Sequence, residues 1–293
     1  MKNYKNCPVC GNTSFNNFLK CKDNTGSNET FQMDQCNACE FVFTNPIPLE
    51  SEIGKYYESD EYISHSNTSK GLTNTLYQTV RNYTLKQKIA LIKSLGSGKN
   101  ILDIGSGTGE FLNSCKQAGF NVSGIEPSPA ARKLAEDNFS LQLKEEVELD
   151  KLAGESQDFI SMWHVLEHVY HLNDRIEQIK RLLKPDGKVI IAVPNRNSYD
   201  ANYYKENWAA YDLPRHLYHF RPIDIEKVFS KHGFKLDKIL PMKFDSFYVS
   251  MLSEKYKNGT VNYFQAFKTG LKSNRKAGDK PKYSSQIYIL SKN

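Results

Sequence analysis

The sequence predicts an α/β protein, a doubly wound Rossmann-like sheet carrying a small cysteine-rich unit at its N-terminal end. Three observations predict it. The segment Ile101-Leu-Asp-Ile-Gly-Ser-Gly-Thr-Gly-Glu-Phe-Leu112 runs from an apolar strand pattern through Asp103 into the alternating glycines Gly105, Gly107 and Gly109. After Gly98, strand-like and helix-like patterns alternate to the end of the chain, the signature of a parallel sheet covered by helices on both faces. Near the start, Cys7-Pro-Val-Cys10 and Cys36-Asn-Ala-Cys39 form two C-x-x-C pairs separated by 25 residues, a pattern in which four thiolates close a tetrahedral zinc site.

Residues 1–45 are read as a zinc ribbon with Cys7, Cys10, Cys36 and Cys39 as metal ligands, ending in Phe41-Val-Phe43 before the breaker Pro46-Ile-Pro48. A closed four-cysteine site is structural, with no open position for chemistry. Residues 46–98 form a linker and capping helices: 49–70 are rich in tyrosine, with Tyr56, Tyr57 and Tyr62 placed over the end of the sheet. Apolar residues then recur at mostly helical spacing from Leu72 to Leu95. Residues 99–293 form the main domain. Strands are predicted at Asn121–Glu126, Asp158–Met162, Lys188–Val193, Lys235–Ile239 and Gln286–Leu290. Helices are predicted at Glu110–Gln117, Pro129–Asn138, Asn173–Leu183 and Ile223–His232, with Ser128 capping a helix that has Pro129 in its first turn. A basic, helical insertion occupies about 245–282, before the last strand, and Cys115 falls on an apolar helix face as a core residue.

Glycines at a strand-to-helix turn let a ligand lie against bare backbone. The dinucleotide pattern G-x-G-x-x-G would need glycine at 110, where this chain has Glu110; an acid beside a pyrophosphate would be repelled, so a nucleoside ligand without one is expected. The D-x-G-x-G-x-G run resembles motif I of the class I S-adenosylmethionine (SAM)-dependent methyltransferases. The resemblance continues in order through Glu126 at the end of the second strand, Trp-His-Val-Leu-Glu-His168 after the fourth, and Leu182-Leu-Lys-Pro-Asp-Gly187 leading to Pro194 and Asn195. It implies a seven-stranded sheet with an antiparallel last strand and SAM as cofactor. It further implies Asp103, Gly105, Gly107 and Gly109 near the methionine portion, Glu126 on the ribose, and backbone at Met162, Trp163 and His164 lining the pocket. Glu145 or Glu146, after the third strand, would stand near adenine.

Two histidine groups compete to act as a base on the acceptor. One is His164-Val-Leu-Glu167-His168; the other lies in Tyr211-Asp-Leu-Pro-Arg-His216-Leu-Tyr-His219. His216 is the first choice and His168 the second, with Tyr211 and Arg215 as further catalytic candidates and Trp208 as a wall of the acceptor pocket. A bland reading competes with this one, an Asp212–Arg215 ion pair with histidines that merely fill hydrogen-bonding positions.

The expected reaction is methyl transfer to a small-molecule acceptor, at a hydroxyl, in surface-glycan or secondary metabolism. The alternative is RNA base methylation with the zinc ribbon recognising RNA, since the net charge is +6 with its densest part at Lys268, Lys272, Arg275, Lys276, Lys280 and Lys282. That spread excess is weaker than the concentrated stripe of a nucleic-acid surface. His164 to His168 also fits the H-x-x-E-H pattern of inverted zinc peptidases, a remote alternative that requires the motif on a helix. No run of eighteen apolar residues exists and no apolar segment follows the basic N-terminus; neither a membrane span nor a secretory signal is expected, and the cytoplasm is the expected location.

Overall fold

The computed structural model describes residues 1–57, 72–278 and 282–293; Tyr62 and Lys280, singled out above, lie outside the described residues. Strands β1 (Phe15–Lys22), β2 (Thr30–Cys36) and β3 (Val42–Thr44) come first, followed by helix α1 (Leu72–Leu95). The main domain then runs β4 (Asn100–Ile104), α2 (Glu110–Gln117), β5 (Asn121–Ile125), α3 (Pro129–Phe139), β6 (Gln157–Trp163), α4 (Leu172–Leu182) and β7 (Leu183–Pro194). It continues with α5 (Tyr199–Tyr204), β8 (Tyr218–His219), α6 (Pro222–Lys231), β9 (Phe234–Pro241), α7 (Asp245–Asn258), α8 (Tyr263–Ala277) and β10 (Ser285–Lys292).

Six strands form the main sheet in the order β5-β4-β6-β7-β10-β9. Neighbours β5, β4, β6 and β7 are parallel, while β10 runs antiparallel to both β7 and β9, as the resemblance implies. β6 and β7 sit at the centre, and Phe159, Ile160 and Met162 with Val189, Ile190, Ile191, Ala192 and Val193 are buried on both faces, the pattern of a strand covered by helices above and below.

The expected third of seven strands is reduced to a single parallel bridge, Ile125 to Lys144. Its segment would stand at the sheet edge with one neighbour only. Leu141 is buried and Leu143 packs beside it, but Gln142, Lys144 and Glu145 give the outer positions no apolar surface to cover, and the chain turns into a 3-10 segment at Glu146.

Helix starts follow side-chain chemistry. Ser128 Oγ accepts the Ala131 N–H at 3.3 Å, with Pro129 in the first turn of α3, and Asn262 Oδ1 accepts the Gln265 N–H at 3.0 Å at the start of α8. The insertion before the last strand is the hairpin of α7 and α8, with Gly259 in the left-handed region at the end of α7.

The second sheet has the order β1-β2-β3-β8. Its fourth strand comes from the far end of the chain: Val42 pairs with His219 and Phe43 with Tyr218. Among the described residues, no helix is long and apolar enough to cross a membrane.

Candidate active site

The cofactor side is built at the carboxyl end of β4. Gly105 and Ser106 both donate their N–H to the Ile125 carbonyl, at 2.8 and 2.9 Å, which folds the glycine turn back over β5. Gly105 and Gly107 have φ of +75° and +55°, in the left-handed region that favours glycine. The two differ in what surrounds them. A Cβ at Gly105 would stand 2.4 Å from Val165 Cγ2, whereas one at Gly107 would meet nothing within 4 Å. Gly105 is therefore a packing requirement, and the space over Gly107 is open to a ligand.

Asp103 is buried at the floor, where its Oδ1 accepts the Ser161 hydroxyl at 2.5 Å. Burial pushes its carboxyl up to about 7, against the opposing pull of Ser161 and the Lys88 ammonium. Lys88, reaching in from α1, is itself brought down to about 8 by burial and lies 3.9 Å from the centre of the Trp163 ring. Trp163 Nε1 is buried and has no hydrogen-bond partner among the described residues. Glu126, also buried, accepts the Gly107 N–H on Oε2 and the Ser128 N–H on Oε1, at 2.8 and 2.9 Å. Each oxygen keeps a further lone pair, so the carboxylate can still accept from ribose hydroxyls. Met162 is fully buried at the end of β6, and the His164 N–H donates to the Ala192 carbonyl at 2.8 Å. The bare turn and the acid at the end of β5 fit a nucleoside ligand.

Glu145 and Glu146, expected near adenine, are held in ion pairs, Glu145 with Arg132 and Glu146 with Arg175.

Beyond β6 the motif His164 to His168 does not form an α-helix. His164 has a φ of +57°, and Leu166–His168 is one turn of 3-10 helix, so the helical zinc-peptidase geometry is absent. His164 Nε2 lies 3.1 Å from Asp245 at the start of α7, and Nδ1 lies 3.5 Å from Glu167. Burial opposes charge on that ring, but the two carboxylates outweigh it and hold it up to about 10.

His168 and His216 come together from the two competing groups, with ring centres 4.5 Å apart and nearly perpendicular planes. His168 Nδ1 stands 3.0 Å from Tyr57 Oη and 3.1 Å from the Arg215 carbonyl, and His216 Nδ1 stands 2.9 Å from the Ala210 carbonyl. Burial, reinforced by the His216 ring, brings His168 down to about 4. Beside them Glu167 is fully buried.

Arg215 is held on every side. It donates to both oxygens of Asp212, to Asp23 at 2.8 Å, to the Tyr56 carbonyl at 2.8 Å and to Thr25 Oγ1. Tyr211 is buried edge-on against the Trp208 and His219 rings. Trp208, expected to wall the acceptor pocket, is itself buried and donates Nε1–H to Asp200 at 2.8 Å, so it serves the fold of the loop. Sequence reasoning missed Lys88, Ser161 and Asp245, and placed Tyr57 over the end of the sheet without its contact to His168. Glu167 stood in view inside the motif without a role.

At the N-terminal end, Cys7, Cys10, Cys36 and Cys39 place their four Sγ atoms within 4.8 Å of one another. Both C-x-x-C pairs close in tight turns, with Gly11 N–H donating to Cys7 O and Glu40 N–H to Cys36 O. All six cysteines are free, and Cys115 is buried in the core. Four convergent thiols at this separation fit a tetrahedral metal.

A sequence profile described as a methyltransferase domain matches residues 77–239. The ubiquinone biosynthesis O-methyltransferase of Cupriavidus pinatubonensis is 26% identical over 186 residues, 59% of this chain and 74% of that protein. Its counterpart from Actinobacillus pleuropneumoniae is 34% identical over 110 residues, 34% of this chain and 47% of that protein. The chain thus spans from about half to three quarters of the length of these relatives. Among solved structures, a SAM-dependent methyltransferase from Archaeoglobus fulgidus aligns with a TM-score of 0.52 and 20% identity over 72% of this chain and 94% of its own. The magnesium protoporphyrin IX methyltransferase from Synechocystis PCC 6803 with bound SAH aligns with a TM-score of 0.53 and 16% identity over 81% and 97%. With the glycine-cleared crossover and the antiparallel last strand on the same frame, the chain belongs to the methyltransferase domain family and is a SAM-dependent methyltransferase.

Proposed function

We propose that the protein methylates a hydroxyl of a small-molecule acceptor, a sugar or secondary metabolite, which binds beyond the carboxyl ends of β6 and β7. When bound, SAM supplies an electrophilic methyl group on a sulfonium and leaves as S-adenosylhomocysteine. Asp103 and the bare backbone of Gly105, Gly107 and Gly109 take the methionine portion, Glu126 the ribose, and the backbone of Met162, Trp163 and His164 the pocket wall. The acceptor oxygen forms its bond to the methyl carbon as the carbon–sulfur bond breaks, and its proton passes to the imidazole pair, His216 first and His168 second. Tyr211 and Arg215 are positioning residues that hold the loop carrying His216. We assign the four cysteines a structural zinc and the enzyme a cytoplasmic location.

One observation carries this reading: Val165 packs against Gly105, so the open turn and the imidazole pair lie on adjoining segments at the same end of the sheet. Relatives that are named O-methyltransferases support oxygen as the atom methylated. The test is equilibrium dialysis with labelled SAM, followed by label transfer to a panel of glycosyl and phenolic hydroxyl acceptors. SAM uptake is expected. A double His168→Gln, His216→Gln variant should keep that uptake and lose transfer by about 10²–10⁴-fold. Absence of SAM binding, or transfer untouched in the double variant, rejects the reading.

A further inference from the structure

We infer that Glu167, His168 and His216 form a binding site for a divalent transition-metal ion on the acceptor side of the crevice. One ligand atom from each lies within 4.8 Å of the other two. This site is separate from the four-cysteine cluster and deepens the reading above, resting on an acceptor that binds beyond β6.

The first argument is the chemistry of the three groups. His168 Nδ1 faces the Arg215 carbonyl and His216 Nδ1 faces the Ala210 carbonyl, at 3.1 and 2.9 Å. A carbonyl can only accept, so His216 donates Nδ1–H, and His168 does the same with Tyr57 Oη, 3.0 Å from that nitrogen, as a second acceptor; a neutral ring held this way carries its lone pair on Nε2. A backbone carbonyl on the second nitrogen is also how metal-ligating histidines are oriented.

The second argument is the carboxylate. Glu167 is fully buried, and neither of its oxygens has a hydrogen-bond partner among the described residues. The ring nitrogen of His164 stands off at 3.5 Å. The charged His164 ring is shared with Asp245, which it approaches more closely at 3.1 Å, so the buried Glu167 carboxylate is only partly neutralised and a metal cation would complete its compensation. Two Nε2 lone pairs beside it supply further acceptors and no donor.

The third argument is pre-organisation. Glu167 and His168 sit on the 3-10 turn that follows β6, and the Leu217 N–H donates to the Glu167 carbonyl at 2.7 Å, tying that turn to the loop of His216. Thr44 Oγ1 donates to the His216 carbonyl at 2.7 Å, and the His216 N–H donates to Asp212 O at 3.0 Å. Ligands about 2.1 Å from an ion stand roughly 3–3.5 Å apart, so loading draws the triangle together by a small closure of side chains.

Two imidazoles and one carboxylate suit zinc, manganese or ferrous iron and leave coordination positions open. An acceptor hydroxyl in such a position would lose its proton more readily. With the ion bound, the histidines would hold the metal that polarises the acceptor, the released proton would pass to solvent water, and this role would replace their direct action as a base in the reading above.

The test uses full-length protein without SAM or acceptor. Metal analysis after purification, then mild chelation and titration with cobalt(II), should show two equivalents per chain. The one at the cysteines carries intense thiolate-to-cobalt charge-transfer bands; the other shows only weak visible bands. Glu167→Gln should lose the second equivalent, with cobalt affinity falling at least tenfold, and keep the first. His168→Gln, at a half-buried position, repeats the measurement should the Glu167 variant misfold. A single equivalent with thiolate bands only, or a second equivalent that survives both substitutions, overturns the proposal. Failure of SAM uptake would reject the methyltransfer reading and leave the cobalt result standing.

Discussion

The central residues of β6 and β7 are mostly apolar, with Ser161 and the adjoining Asp103 of β4 as a buried polar pair, whereas the four-stranded sheet is braced by a fully buried arginine and ends in four thiols. The six-stranded sheet draws its stability from non-directional burial of apolar surface. The four-stranded sheet depends on directed contacts. Arg215 bridges Asp23 and Thr25 near the start of the chain to Asp212 in the acceptor-side loop, and β8 closes the same sheet. The N-terminal segment is therefore a brace for the loop that carries His216, while the cofactor turn is supported by the other sheet. Damage to the brace should reach the acceptor side and spare the cofactor side.

The largest expected effect comes from the thiol end. Cys36→Ser with Cys39→Ser should abolish zinc retention at that site and melt the four-stranded sheet, because a structural zinc site contributes on the order of 10 kcal/mol to folding of the segment that holds it. Label transfer should fall at least about a hundredfold, as for loss of catalytic geometry, while SAM affinity measured by calorimetry stays near wild type. Equal loss of both would break the comparison.

Asp23→Asn removes one carboxylate from the buried arginine and should cost about 3 kcal/mol in urea unfolding. The wild-type pH dependence follows from the same contact. Burial raises the Asp23 carboxyl, but the Arg215 guanidinium and the Ser27 N–H and hydroxyl outweigh it and hold the group below the usual carboxylate range. Its folded value lies below the unfolded one of about 3.9, so its contribution is complete above that pH and is lost as pH falls through the folded value. The amide that replaces this carboxylate in the variant does not titrate, so the difference in stability between the two proteins should shrink with acidification. A constant difference would count against the contact.

The glycine turn gives the finest comparison. Gly105→Ala places a Cβ against Val165 and should destabilise the fold by about 2–3 kcal/mol. Gly107→Ala points into open space and should cost about 1 kcal/mol of stability for its left-handed backbone, yet weaken SAM binding about tenfold or more. If both variants lose stability alike and bind SAM alike, the open space over Gly107 is not the cofactor's.

The cofactor side was the more legible of the two in the sequence. Asp103, the three glycines and Glu126 lie within one strand-turn-helix-strand unit, where spacing along the chain translates directly into position in space. The acceptor side is assembled from segments far apart. Asp245 meets His164, Tyr57 meets His168 and Asp23 meets Arg215, and no periodic pattern announces such pairs. Lys88 was hidden for a different reason. It sits on a helix whose apolar spacing announced packing, and the extended aliphatic stem of lysine gives no sign that its ammonium will lie over Trp163. The edge segment after α3 is short of the strand that the resemblance implies, because an edge strand with polar outer positions gains little from pairing.

The two-residue strand β8 sets a schedule for the birth of the molecule. The ribosome delivers the cysteine-bearing segment before the main domain, but that segment lacks its last strand until Tyr218 and His219 have emerged, and its buried aspartate waits for Arg215 from the same stretch. The four-stranded sheet can therefore be completed only after most of the parallel sheet's strands have been made.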